Sequence, residues 1–161
     1  MNPQDTHLES ISRAVGRIPS GVAILTARAD DERTGMLASW MQQASFDPLM
    51  ITVAVKKGRP IEPLIDRTDR FVLNILLADP TDLFKHFGRG FGPGQDAFDG
   101  LEFEAVEAGI TLRAALAHLH CDVETKVSAG DHWLYVARVT AGQCNDSGNP
   151  HVHIRKSALN Y

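Results

Sequence analysis

The chain has 161 residues, 43% of them hydrophobic, with 16 Lys+Arg against 20 Asp+Glu for a formal net charge of −4. At roughly 100–200 residues per domain this is one domain, spanning residues 1–161, with a core that needs no disulfide or metal staples. The acidic balance argues against nucleic-acid binding, no apolar run approaches the roughly 20 residues of a membrane helix, and the start MNPQDTHLES is no signal peptide, so a cytoplasmic chain without membrane contact is expected.

Leu8, Ile11, Ala14 and Val15 recur at helical spacing and predict a helix over 5–15 that ends at Gly16. Residues 21–27 read as a strand, followed by a charged turn over 28–33. Strands are predicted over 36–44 and 49–55, separated by the turn signal Asp47-Pro48, and the three strands are expected to pair consecutively. Pro60 marks the start of a short helix whose apolar stripe is Ile61, Leu64 and Ile65. A strand over 71–77 precedes a helix over 81–87 that is capped by Pro80-Thr81-Asp82 and closed by Gly88. The glycine-rich stretch 88–100 is expected to be a loop outside the core; it lacks the ending of a phosphate loop and follows a helix instead of a strand. Strict alternation over 115–127, a turn at Gly130-Asp131 and a returning strand over 132–139 predict a long hairpin. Strands that follow one another as hairpins, with few short helices, favour an antiparallel barrel.

Cys121 and Cys144 have no CxxC spacing and are expected to be two buried thiols, not a disulfide or zinc site. His118 with His120, and His151 with His153, share strand faces, yet no third ligand stands at useful spacing, and no metal site is expected. The most informative stretch is Lys56-Lys57-Gly58-Arg59-Pro60, between a buried strand and a helix start. Its three cations beside the unpaired N–H groups of a helix N-terminus suit an anion, phosphate above all. Ser39 and Ser45 are candidate hydroxyl donors to the same anion. His132, at a strand mouth after a turn, suits substrate orientation. Trp40, Phe46, Phe87, Trp133 and Tyr161 are aromatics able to flank a flat cofactor. With no GxSxG and no HExxH, the chemistry is expected to belong to a bound cofactor.

Four stretches, PSGV at 19–22, GMLASW with SFDP over 35–48, FVLNIL at 71–76 and GDH at 130–132, resemble the flavin reductase-like family of FMN-binding split barrels. The phrases GRIPSG, GMLASWMQQASFDP, KHF and GDHW, and the ending HIRKSALNY, are similar to the C-terminal flavin reductase domain of cyanobacterial diflavin flavodiiron proteins. The chain starts at its own Met1, so a domain without the flavodiiron core is expected. The resemblance implies a mainly β antiparallel split barrel with short peripheral helices over 17–161, after the N-terminal helix, and a homodimer with the flavin at the subunit interface. It implies an FMN cofactor, with FAD as the variant, reduced by hydride from NADH or NADPH, and a partner oxygenase or other electron acceptor. Met36, Leu37, Ala38, Ser39 and Trp40 would line the flavin ring, and Ser45 and Phe46 its ribityl and phosphate end. Lys56, Lys57, Arg59 and Pro60 would anchor the phosphate, His132 would orient the nicotinamide, and Tyr161 would approach the flavin or the partner subunit. The other reading is an FMN-binding electron-transfer module without productive NAD(P)H binding.

Overall fold

The computed structural model describes residues 3–78, 82–145 and 147–158. Helix α1 (Pro3–Val15) is followed by β1 (Ser20–Gly21), β2 (Ala23–Ala29), β3 (Glu32–Ala38), β4 (Met41–Phe46) and β5 (Leu49–Lys56). Then come α2 (Glu62–Thr68), β6 (Arg70–Ile75), α3 (Asp82–Gly88), β7 (Phe103–Val106), β8 (Gly109–Leu112), β9 (Ala117–Ala129), β10 (His132–Cys144) and β11 (Val152–His153). Seven strands form one antiparallel sheet in the order β3-β2-β6-β9-β10-β5-β4, and two two-stranded sheets, β1-β11 and β7-β8, flank it. The chain is thus mainly β with a few short helices, as the hairpin rhythm predicts.

β2 is buried on both faces, and this divides the core in two. Ala23, Leu25 and Ala27 face one cluster with Val53, Val55, Phe71, Tyr135 and the α2 residues Leu64 and Ile65. Val22 and Ile24 face the other, with Leu76, Leu83 and Phe87 of α3, and Ile110 and Leu112 of β8. Successive strand side chains point to opposite faces, so one strand serves both clusters.

Several expectations need correction. The predicted strand over 36–44 is two strands, β3 and β4; the first pairs with β2 and the second with β5, so the three early segments pair consecutively as expected, but through a strand that is broken in the middle. The break falls at Ser39 and Trp40, where the Ala54 N–H donates to the Trp40 carbonyl at 2.9 Å and β3 approaches β5. α2 starts after Pro60: Ile61 is its N-cap, and Pro63 occupies the first turn, where a missing N–H costs nothing. Beyond Gly88, the last residue of α3, the stretch 89–100 has no helix or strand, but its Ala97 and Phe98 are buried in the second cluster. The β7–β8 hairpin has no counterpart in the predicted elements. Cys121 is buried as expected, whereas Cys144 is exposed near the end of β10. The predicted cap at Pro80-Thr81 lies outside the described residues. Among the described residues no helix is long and apolar enough to cross a membrane.

Candidate functional site

Three elements meet around a cavity of about 260 Å³: the end of β3 and the two residues after it, the end of β5 with the turn beyond, and the last turn of α3. Its walls include Met36, Leu37, Ala38, Ser39 and Trp40, then Ala54, Lys56 and Arg59, and finally Phe87, Gly88, Arg89 and Gly90. Gly35 makes the approach of α3 to β3 possible. A Cβ there would lie 2.8 Å from Phe87 Cε1, so any other residue would have to displace the Phe87 ring from its place against the strand. β3 is an edge strand, and edge strands offer backbone N–H and C=O groups outward.

The cavity therefore unites Met36, Leu37, Ala38, Ser39, Trp40, Lys56 and Arg59 of the predicted set. Lys56 and Lys57 are adjacent at the end of an extended strand and leave it in different directions. Lys57 Nζ donates to Ser128 Oγ and to the Gly130 carbonyl, both at 2.7 Å, and sits 4.6 Å from the centre of the Trp133 ring, so it braces the β9–β10 turn and is not a cavity residue. Pro60 faces a different cleft, of about 660 Å³, beside Arg33 and Pro63. Ser45 and Phe46 lie away from the cavity at the far end of β4, with Phe46 91% exposed. Tyr161 lies outside the described residues. A further cleft, of about 810 Å³ beside the β7–β8 hairpin, contains Glu102, Glu104, Arg113 and His118 and none of the predicted cofactor residues. The shared face of His118 and His120 gathers no metal cluster among the described residues. His118 is held below the ordinary imidazole value by burial and by its neighbour His120.

Backbone N–H groups that the helix-terminus expectation would offer to an anion, those of Lys57, Gly58 and Glu62, are taken by acceptors of the protein itself. The Lys57 N–H donates to the Asp131 carbonyl at 3.0 Å, the Gly58 N–H to Glu62 Oε2 at 2.9 Å, and the Glu62 N–H to the Arg59 carbonyl at 3.0 Å. Glu62 also accepts from Lys126 Nζ at 3.3 Å, and Lys126 in turn reaches Asp66 at 2.8 Å. Burial raises the Glu62 carboxyl, but the Gly58 N–H and Lys126 outweigh it and leave it below the ordinary value. What the turn offers an anion is side-chain charge from Lys56 and Arg59, on a backbone locked by Glu62.

His132 pairs with Lys56 in the β10–β5 register and is 6% exposed. Its Nδ1 lies 2.7 Å from Asp131 Oδ1, and a proton on Nδ1 makes that bond. The same bond lowers the Asp131 carboxyl below its ordinary value. The imidazole packs on Trp40 with ring centres 4.6 Å apart, which puts it one ring behind the cavity wall. Arg155 places its guanidinium carbon 4.8 Å from the centre of the same indole. Arg89, Gly90 and Arg155 are residues the sequence reading did not single out. The arginine and glycines directly after a short helix were the available signal for the first two.

The family model of the flavin reductase like domain matches residues 15–160. Diflavin flavoprotein A 1 of Synechocystis sp. is 43% identical over 149 residues, which make up 91% of this chain and 26% of that protein. The chain spans 23–28% of the length of such curated relatives. Among solved structures, the NADH:FAD oxidoreductase SgcE6 of Streptomyces globisporus C-1027 superposes with a TM-score of 0.82 at 23% identity, covering 97% of this chain and 92% of that one. The styrene monooxygenase flavin reductase SMOB of Pseudomonas putida S12 gives 0.73 at 27% identity, over 88% of this chain and 90% of that one. An antiparallel sheet of this order, the motifs that line its cavity and a family match over nearly the whole chain agree: this protein belongs to the flavin reductase-like domain family.

Proposed function

We propose that the chain binds FMN in the cavity at the end of β3 and reduces it with NADH or NADPH, as a homodimer whose sheet curls into a split barrel. The observation that carries this reading is the convergence of Lys56 and Arg59 with five consecutive residues, 36–40, on one cavity. The donor set fits a phosphorylated, flat cofactor. Two cations supply charge-assisted bonds to phosphate, Ser39 supplies a hydroxyl, and the outer edge of β3 supplies backbone donors and acceptors suited to the polar rim of the flavin ring. β3 and β4 stand at opposite ends of the sheet order, yet only Ser39 and Trp40 separate them along the chain, which supports the curl toward a barrel.

When bound, the flavin supplies a ring that accepts hydride from a reduced nicotinamide. The protein side chains bind and orient. Lys56 and Arg59 hold the phosphate, residues 36–40 hold the ring edge, and His132, fixed by Asp131 and packed on Trp40, orients the nicotinamide. The test is anaerobic mixing of FMN-loaded protein with NADH and, separately, with NADPH. Loss of the visible flavin absorbance with at least one donor is expected; persistence with both leaves only a flavin-binding electron-transfer module. His132→Ala is expected to slow that reduction by about tenfold or more, through misplacement of the nicotinamide, with FMN affinity nearly unchanged.

A further inference from the structure

The residue directly after α3 is an arginine held in an arrangement that the phosphate anchor, as drawn from Lys56 and Arg59, does not use. Arg89 Nε donates to the His86 carbonyl at 3.2 Å, and Arg89 Nη2 lies 3.0 Å from His86 Nδ1. A guanidinium only donates, so Nδ1 is the acceptor of that bond and the imidazole proton is on Nε2. His86 Nε2 lies 2.9 Å from the carbonyl of Ala97, a fully buried residue of the second core cluster, and donates to it. The ring is further packed between Phe87, at 5.0 Å, and Phe91, at 5.1 Å, and Phe91 also meets the Arg89 guanidinium at 5.7 Å. A continuous chain of bonds thus runs from the core through one histidine tautomer to an arginine on the cavity wall.

We infer that Arg89 is a third phosphate-binding side chain of the cavity, preorganised by His86 as a positioning residue; this rests on the proposed flavin site. The two contacts to His86 occupy one face of the guanidinium fork and leave its remaining N–H groups for another acceptor. Among the described residues no carboxylate lies within ion-pair distance of Lys56, Arg59 or Arg89, although the charge of Lys56 helps to hold the Asp131 carboxyl below its ordinary value. Three cations around one cavity with no paired carboxylate repel each other until an anion enters, and a terminal phosphate, close to doubly charged near neutral pH, is the part of a flavin that answers them.

The experiment titrates FMN and riboflavin against the full chain and its variants, following quenching of flavin fluorescence, with circular dichroism as the check on folding. Arg89→Met is expected to raise the FMN dissociation constant by about tenfold or more and to leave that of riboflavin within about twofold. Arg89→Lys, which keeps the charge and loses the fork, falls between the two. His86→Leu is expected to weaken FMN several-fold, and His86→Gln, which still offers one donor and one acceptor, to recover most of the loss. Equal loss of both flavins in Arg89→Met, or unchanged FMN affinity, overturns the assignment, and so does a raised KM for NADH with FMN binding intact, which moves the phosphate to the nucleotide. Unchanged FMN affinity in His86→Leu removes the positioning role. If the unaltered protein binds riboflavin as tightly as FMN, the fault lies with the phosphate reading of the whole cavity and not with Arg89 alone.

Discussion

Strand geometry and local hydrogen bonding decide which cations of the 56–60 turn serve the cavity. Lys57 spends its ammonium on Ser128, Gly130 and Trp133, so its charge is committed to the hairpin turn. Lys56 and Arg59 keep theirs at the cavity, on a turn whose backbone is pinned by the Gly58–Glu62 bond. Replacing Lys56 and Arg59 together by Ala is therefore expected to weaken FMN by roughly 100-fold or more, two charge-assisted contacts being worth about 1.5–3 kcal/mol each, while riboflavin changes little. Fluorescence titration of both ligands reads this directly, and equal losses would show that the pair shapes the cavity without touching phosphate. The cluster of charge was legible in the sequence because it is local, three cations within four residues. Which of them faces the cavity was not, because that depends on the Ser128 and Gly130 partners that β9 brings from about 70 residues away. The same holds for Arg89, whose partner His86 is close in sequence but whose place in the cavity depends on Gly35 admitting Phe87 to β3.

Elements that carry their own pattern were readable, and those held by distant polar groups were not. The alternation after Ala115 announces β9, and its 13 residues pair with β10 almost throughout. β7 and β8 have only four residues each and no comparable signal. They are tied to the main sheet by two buried side chains, Thr26 and Asn74. Thr26 Oγ1 donates to the Ile110 carbonyl at 2.7 Å and accepts the Ile110 N–H at 3.1 Å; Asn74 Nδ2 donates to the same carbonyl at 3.0 Å, and Asn74 Oδ1 accepts the Leu112 N–H at 2.8 Å. Gly109 allows the contact, since a Cβ there would lie 2.8 Å from the Thr26 carbonyl oxygen. Asn74→Leu keeps the approximate volume, removes those partners and leaves the buried Leu112 N–H unsatisfied. It is expected to cost about 3 kcal/mol, on the scale of 1–3 kcal/mol per orphaned group. Urea unfolding should show a lower midpoint at an unchanged slope. A midpoint within error of the parent would mean that the hairpin is held by Ile110 and Leu112 burial alone.

At the scale of the whole molecule, the surface left apolar is the part that bears on assembly. α1 presents Leu8, Ile11 and Val15, spaced three and four apart on one side, with exposures of 53%, 47% and 41%, and Ile18 follows at 65%. Beside that row the helix is fastened to the C-terminal segment: Ser12 Oγ and Ser157 Oγ are 2.7 Å apart, and the Ala158 N–H donates to the Ser12 carbonyl at 3.0 Å. The Arg155 N–H donates to the Gly16 carbonyl at 3.1 Å, and the Arg155 side chain reaches Trp40 at the cavity wall. These bonds tie the helix to the C-terminal segment while its apolar row stays exposed, and the same segment reaches the cavity wall. In the proposed homodimer this row is covered by the second subunit, and burying four such side chains would supply several kcal/mol at about 1.5–3 kcal/mol each before the costs of association are subtracted. Sedimentation at micromolar concentration is expected to show a dimer, and Ile11→Glu with Val15→Glu to shift it to monomer with the circular dichroism spectrum retained. If the parent sediments as a monomer, the row does not join two copies. If the double variant remains dimeric, the subunits meet elsewhere, and the exposed β4–β5 turn, with Phe46 at 91% and Leu49 at 45%, is the next surface to alter. FMN affinity measured on the monomeric variant then separates two designs: a large loss means that the second subunit completes the cavity, and an unchanged value means that each chain holds its flavin alone.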